Sequence, residues 1–238
     1  MNITNEDILK QLKISRRLPK IKQEIITQQI IAKKAAAEKI ILSDRELQKA
    51  ADNFRITNNL LTAADTMRWL EINNIDLDDF ETIIYQDLLA DKLAKYLFDD
   101  QVEAYFYEHQ IDYQQAIIYE IVLDDFDLAM ELFFGIQEEE FSFWDIAHKY
   151  IQNEELRRCG GYQGFLLRTQ LKPEISAAVF AAKPPQILKP MRIDKYTYLI
   201  FVEKIMQPEL DKKLRDKIIQ KLYEQWLRQQ LKKLSILK

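Results

Sequence analysis

Residues able to do chemistry are few in this chain. Its 238 residues include one cysteine and two histidines. Cys159 follows Arg157 and Arg158, cations that lower a thiol's pKa, and it reads as incidental. His109 and His148 fall on predicted helices and read as surface or capping residues. Glu138-Glu139-Glu140 reads as a solvated loop. No metal-ligand spacing, phosphate-binding loop or dinucleotide fingerprint occurs, so neither a metal nor a cofactor is expected. The glycines are more informative. Three of the four stand in Gly160-Gly161-Tyr162-Gln163-Gly164. In a chain so poor in glycine, that cluster marks a backbone that must turn sharply or approach another segment closely.

The elements around that cluster follow from periodicity. The first hundred residues read as successive helices: Asn2–Leu12, interrupted by Pro19, then Ile21–Leu42, then helices opened by Ser43 with Glu46 and by Thr62 with Asp65. In each of these two pairs, side chain and backbone satisfy each other's first-turn amides. Asp76–Phe98 and Asp99–His109 complete the helical part. At Tyr113 the period changes. Ala116–Leu123 is β-branched and aromatic and reads as a buried strand. Helices over Phe126–Gln137 and Ser142–Tyr150 follow, then a polar loop at Asn153–Cys159 and a strand at Phe165–Arg168. Pro173 opens a helix to Ala182, and Ile187–Ile193 and Thr197–Ile205 read as strands. The order is β-α-α-β-α-β-β. Gln207–Leu234 is a long helix whose stripe of Leu210, Leu214, Ile218, Leu222, Trp226, Leu227 and Leu231 requires a partner surface. The N-terminal helices are the expected partner, ahead of a membrane surface.

Composition sets the outer limits. At 47% hydrophobic and 30% charged residues, a sizeable core is available. Residues 51–150 carry 23 acidic against 5 basic side chains, whereas residues 1–50 and 207–238 are each net +5. Basic ends around an acidic middle predict that the ends pack near it. The acidic middle would repel phosphates, so no nucleic-acid partner is expected. No apolar stretch is long enough to span a bilayer, and the first residues lack the look of a signal peptide. Membrane insertion is therefore not expected, and a cytoplasmic location is.

Five ordered segments carry a resemblance. Phe143–Tyr150 (FWDIAHKY), the glycine run, Arg168-Thr169-Gln170-Leu171, Ala177–Phe180, and Pro190 followed by Tyr198-Leu199-Ile200 resemble the motifs of the parvulin peptidyl-prolyl isomerases in order and spacing. The flanking helices extend the likeness to SurA- and PrsA-type foldases. The implied fold is α+β: a helical domain over residues 1–112, a parvulin-like domain over 113–206, and a C-terminal helix over 207–238 packing on the first domain.

The resemblance also implies a site. Leu171, Ile175 and Phe180 match the family's proline pocket, with the polar Gln163 at a position that often carries leucine. Glu154 matches the family's Cys/Asp position. The two family histidines are replaced by Glu120 and Tyr198, which invites a hydrogen bond between them. The implied catalytic residues are thus Glu154, Glu120 and Tyr198, and the implied client is an extended or proline-containing polypeptide. Loss of both histidines implies weak or absent isomerase activity with proline binding retained. The alternative is a non-catalytic chaperone or escort for a peptide bound for export or modification.

Overall fold

The computed structural model describes residues 3–236, so Asn2, the first residue of the first expected helix, lies outside it. The chain forms two compact units. One runs to Glu103 and resumes at Lys212; the other is Ala104–Asp211.

The first unit is helical: α1 (Asn5–Ile14), α2 (Leu18–Ala37), α3 (Asp44–Thr57), α4 (Ala63–Asn73), α5 (Leu77–Phe98) and α11 (Lys212–Ile236). Local chemistry starts most of them. Ser43 and Glu46 form a reciprocal cap on α3, and Thr62 with Asp65 does so on α4. Pro19 sits in the first turn of α2 rather than breaking a helix, because its missing N–H is needed least there. The long apolar segment ends at Ala37, where Lys39 takes a left-handed conformation, φ 55°. The last helix begins five residues later than Gln207, after Pro208. It packs on α5 and α2, burying Ile218, Ile219 and Tyr223. Arg215 ties this basic end to the acidic middle, with nitrogens 2.7 Å from Asp99 and 2.6 Å from Glu103.

The second unit contains α6 (Val102–Glu108), shared at its edge with the first, then β1 (Gln115–Leu123), α7 (Phe126–Gln137), α8 (Phe143–Tyr150), α9 (Glu154–Arg158), β2 (Tyr162–Leu167), α10 (Pro173–Ala181), β3 (Gln186–Ile187), β4 (Met191–Ile193) and β5 (Tyr196–Met206). The sheet is antiparallel in the order β2-β1-β5-β3, with β4 also paired to β5. Two details depart from the sequence reading. The expected loop at Asn153–Cys159 contains the one-turn α9, because the Asn153 side chain accepts the Leu156 amide. The expected strand Ile187–Ile193 is split in two, since Pro190 has no N–H to give a ladder. Alternation along β1 and β5 sends Ile118, Tyr198, Ile200 and Val202 to the face covered by Ile175 and Val179 of α10. It sends Ile121, Leu123 and Leu199 to the face covered by α7 and α8.

Candidate functional site

β1 fixes the frame. Its residues pair with β5 from Gln115↔Met206 to Leu123↔Thr197, with a bulge at Ile117/Ile118. Glu120 lies opposite Ile200 and Val122 opposite Tyr198, so Glu120 and Tyr198 are diagonal neighbours on one face. The glycine cluster holds this register. The Glu120 amide donates to the Gly161 carbonyl at 2.9 Å. A Cβ on Gly161 would stand 2.6 Å from the Glu120 carbonyl oxygen, and the residue has φ +83°. Only glycine meets both conditions without strain.

The α10 face gathers most of the expected residues. Leu171 and Phe180 pack, partly buried, against the cluster that contains Ile175 and Tyr198. Ile175 is only 3% exposed, within the core itself. Gln163 is half-buried on β2. Two cations that the sequence reading left out of the site cover its aromatic residues. The Lys172 ammonium lies 4.7 Å from the centre of the Tyr198 ring, and the Arg168 guanidinium 4.9 Å from that of Phe180. Each is a cation–π contact.

Lys172 changes the expected wiring. Its Nζ donates to the Tyr198 hydroxyl oxygen at 2.7 Å. The phenol oxygen accepts from Lys172, and the expected hydrogen bond between Tyr198 and Glu120 does not form. The phenol raises the pKa of Lys172, and Asp194 and Glu120 add to that effect. Burial raises the Glu120 carboxyl above its ordinary value, while Lys172 pulls it down. Glu154 is exposed on the first turn of α9 and pairs with Arg158 at 2.5 Å. The charge that acts on Glu120 is Lys172, whereas that on Glu154 is Arg158. Nothing local in the sequence marks Lys172. It precedes the proline that opens α10, and its role exists only once α10 lies across β5.

The arrangement supplies an apolar surface beside a polarised phenol. Accepting from Lys172 leaves the Tyr198 O–H proton available, and a hydrogen bond received strengthens one given. The helical unit offers a different surface. An open groove of about 1100 Å³ runs among Ile25, Leu47, Met67, Leu77, Phe80 and Tyr85. Ile25, Met67, Leu77 and Tyr85 on its wall are 46–54% exposed, so apolar surface along the groove is open to water. Among the described residues no group of metal-binding side chains occurs, and no helix is long and apolar enough to cross a membrane.

Comparison with known proteins places the fold. No protein-family model matches the sequence, and no curated protein matches it. Among solved structures, the peptidylprolyl isomerase PrsA from Bacillus anthracis superposes with a TM-score of 0.50 at 20% identity, covering 90% of this chain and 97% of that one. PrsA from Bacillus cereus superposes with a TM-score of 0.50 at 17% identity, covering 97% and 88%. The chain therefore has the PrsA-like architecture, a helical part joined to a parvulin domain.

Proposed function

We propose, from that shared fold and the α10 face, that the protein is a peptidyl-prolyl isomerase-like foldase that binds proline-containing polypeptides. The observation that carries the reading is the grouping of Leu171, Phe180 and Tyr198 on one sheet face, with Lys172 hydrogen-bonded to the Tyr198 phenol. Rotation about an X-Pro bond faces a barrier of about 18–20 kcal/mol, and no covalent bond has to change. A catalyst needs an apolar seat for the ring and a donor that fits the twisted amide better than the planar one. Leu171 and Phe180 supply the seat, and the Tyr198 O–H supplies the donor. Asp194 and Glu120 favour the Lys172 charge beside that phenol. With a phenol and a carboxylate in place of two imidazoles, turnover is expected to be slow.

A cis/trans isomerisation assay on a proline tetrapeptide tests this. Tyr198→Phe should remove the donor and lower the catalysed rate by about tenfold, equivalent to about 1.4 kcal/mol of barrier. Robust turnover that survives both Tyr198→Phe and Glu154→Ala would remove these residues from the mechanism. A second reading, holding without catalysis, is favoured by the groove in the helical unit. An aggregation assay with an unfolded client checks it: Met67→Asp should abolish protection if the groove holds apolar segments.

A further inference from the structure

The other face of the sheet carries a recess that the isomerase reading does not use. It has a volume of about 420 Å³, and its lining includes Tyr119, Trp144, Arg158, Gly160, Tyr162 and Glu203. Its walls are aromatic and splayed. Tyr119 lies 5.3 Å from Trp144 at 50° and 5.3 Å from Tyr162 at 53°. Phe201 backs Trp144 at 5.4 Å. Despite these contacts Trp144 remains 41% and Tyr162 36% exposed. Gly160 is what allows the indole to lie there: a Cβ on it would stand 3.0 Å from Trp144 Cδ1 and 3.3 Å from Nε1.

The polar groups at the rim are unequal. Arg158 is already paired with Glu154. Burial first, and Glu203 beside it second, raise the Tyr119 pKa to about 12. Among the described residues Glu203 has no ion pair and the Trp144 indole N–H no acceptor, and the cation–ring contacts lie elsewhere, at Tyr150, Phe180, Tyr196 and Tyr198. The recess thus offers flat apolar rings, one free N–H donor and one free negative charge.

A proline-rich segment in the polyproline II conformation matches all three. Its rings are compact and apolar and held in a preformed helix at low ordering cost, its backbone carbonyls lack internal partners, and aromatic-lined grooves are the usual seat for such segments. A neighbouring Lys or Arg would meet Glu203. We propose that this recess is a second peptide site, for a proline-rich segment flanked by a basic residue. It stands on different residues from the α10 face and does not depend on isomerase activity.

Calorimetric titration of the full chain with a short polyproline peptide ending in arginine tests the assignment. Saturable binding is expected, weakened about tenfold or more by Trp144→Ala. Tyr162→Ala, at an exposed position, provides a second variant should Trp144→Ala fail to fold, and it should weaken binding in the same direction. Glu203→Gln should weaken the arginine peptide but not a polyproline peptide lacking arginine. The proposal is overturned if the peptide does not bind, if binding is lost in Lys172→Ala yet kept in Trp144→Ala and Tyr162→Ala, or if arginine amide alone binds as tightly as the peptide, which would make the recess a simple cation cage.

Discussion

Tyr119 and Glu120 are adjacent on β1 and enter different chemistry. Tyr119 joins an aromatic wall with Trp144 and Tyr162, where burial and the nearby Glu203 raise its pKa. Glu120 faces α10, where burial opposes its charge and Lys172 favours it. One step along a strand changes the face, and each face has its own helix cover. The α7–α8 face is built from rings and leaves part of them in water. The α10 face is built from aliphatic residues with a charged lid of Lys172 and Arg168. The two glycines at the start of the cluster each permit a different close approach. Gly161 brings the chain against the Glu120 backbone, and Gly160 makes room for Trp144.

The largest expected effect separates core from pocket on the α10 face. Ile175→Ala should cost about 2–5 kcal/mol of stability in a denaturant titration, the range for emptying a packed aliphatic site. A cost near zero would mean that Ile175 is a ligand contact and that the core lies elsewhere. Next is Gly161→Ala, which both strains φ +83° and drives a methyl into the Glu120 carbonyl. It should cost about 1–3 kcal/mol. Because it acts on β1 register, peptide binding at the α10 face should weaken in parallel. Lys172→Met removes one hydrogen bond to Tyr198 and should cost about 1 kcal/mol. Carbon-detected titration of the Glu120 carboxyl should then show its pKa moving further up, since the only charge lowering it is gone. An unchanged Glu120 pKa would break the link between the two residues.

The smallest effect depends on pH. Burial raises the folded-state pKa of Glu120 above its unfolded value. Between the two values the folded chain holds a proton that the unfolded chain has released. Stability therefore falls as pH rises through that window and stays lower above it. Glu120→Gln cannot ionise and escapes the loss. Thermal unfolding should find the variant more stable than the parent at neutral pH, with the gap closing as pH drops toward the ordinary carboxylate range. A gap that widened in acid would reverse the assignment. Glu46 behaves in the opposite sense: Lys92 and the Ser43 cap hold its pKa down to about 2, so its contribution is present above the ordinary value and is lost only as pH falls toward 2.

How much of this the sequence carries depends on the range of each interaction. The caps at Ser43–Glu46 and Thr62–Asp65 are readable because both partners lie within one helical turn. The stripe of the last helix is readable as a need for a partner, and Ile218, Ile219 and Tyr223 are buried against α5 and α2. The glycine cluster is readable as a close approach, but not as two, one to the Glu120 backbone and one to the Trp144 ring. Lys172 is unreadable for the same reason. Its partner is 26 residues away, and only the crossing of α10 over β5 brings them together. The hydrogen bond expected between Glu120 and Tyr198 does not form: the two are diagonal neighbours on adjacent strands, and the group that reaches the phenol is Lys172, just before α10.

The central claim is that the α10 face is where a proline-containing chain sits. Isotope-labelled protein titrated with a proline tetrapeptide lacking basic residues measures this residue by residue. The account predicts saturable shifts at Leu171, Lys172, Phe180 and Tyr198, with little change at Trp144 and Tyr162. Shifts that spare those four residues at peptide concentrations that saturate other positions would contradict it.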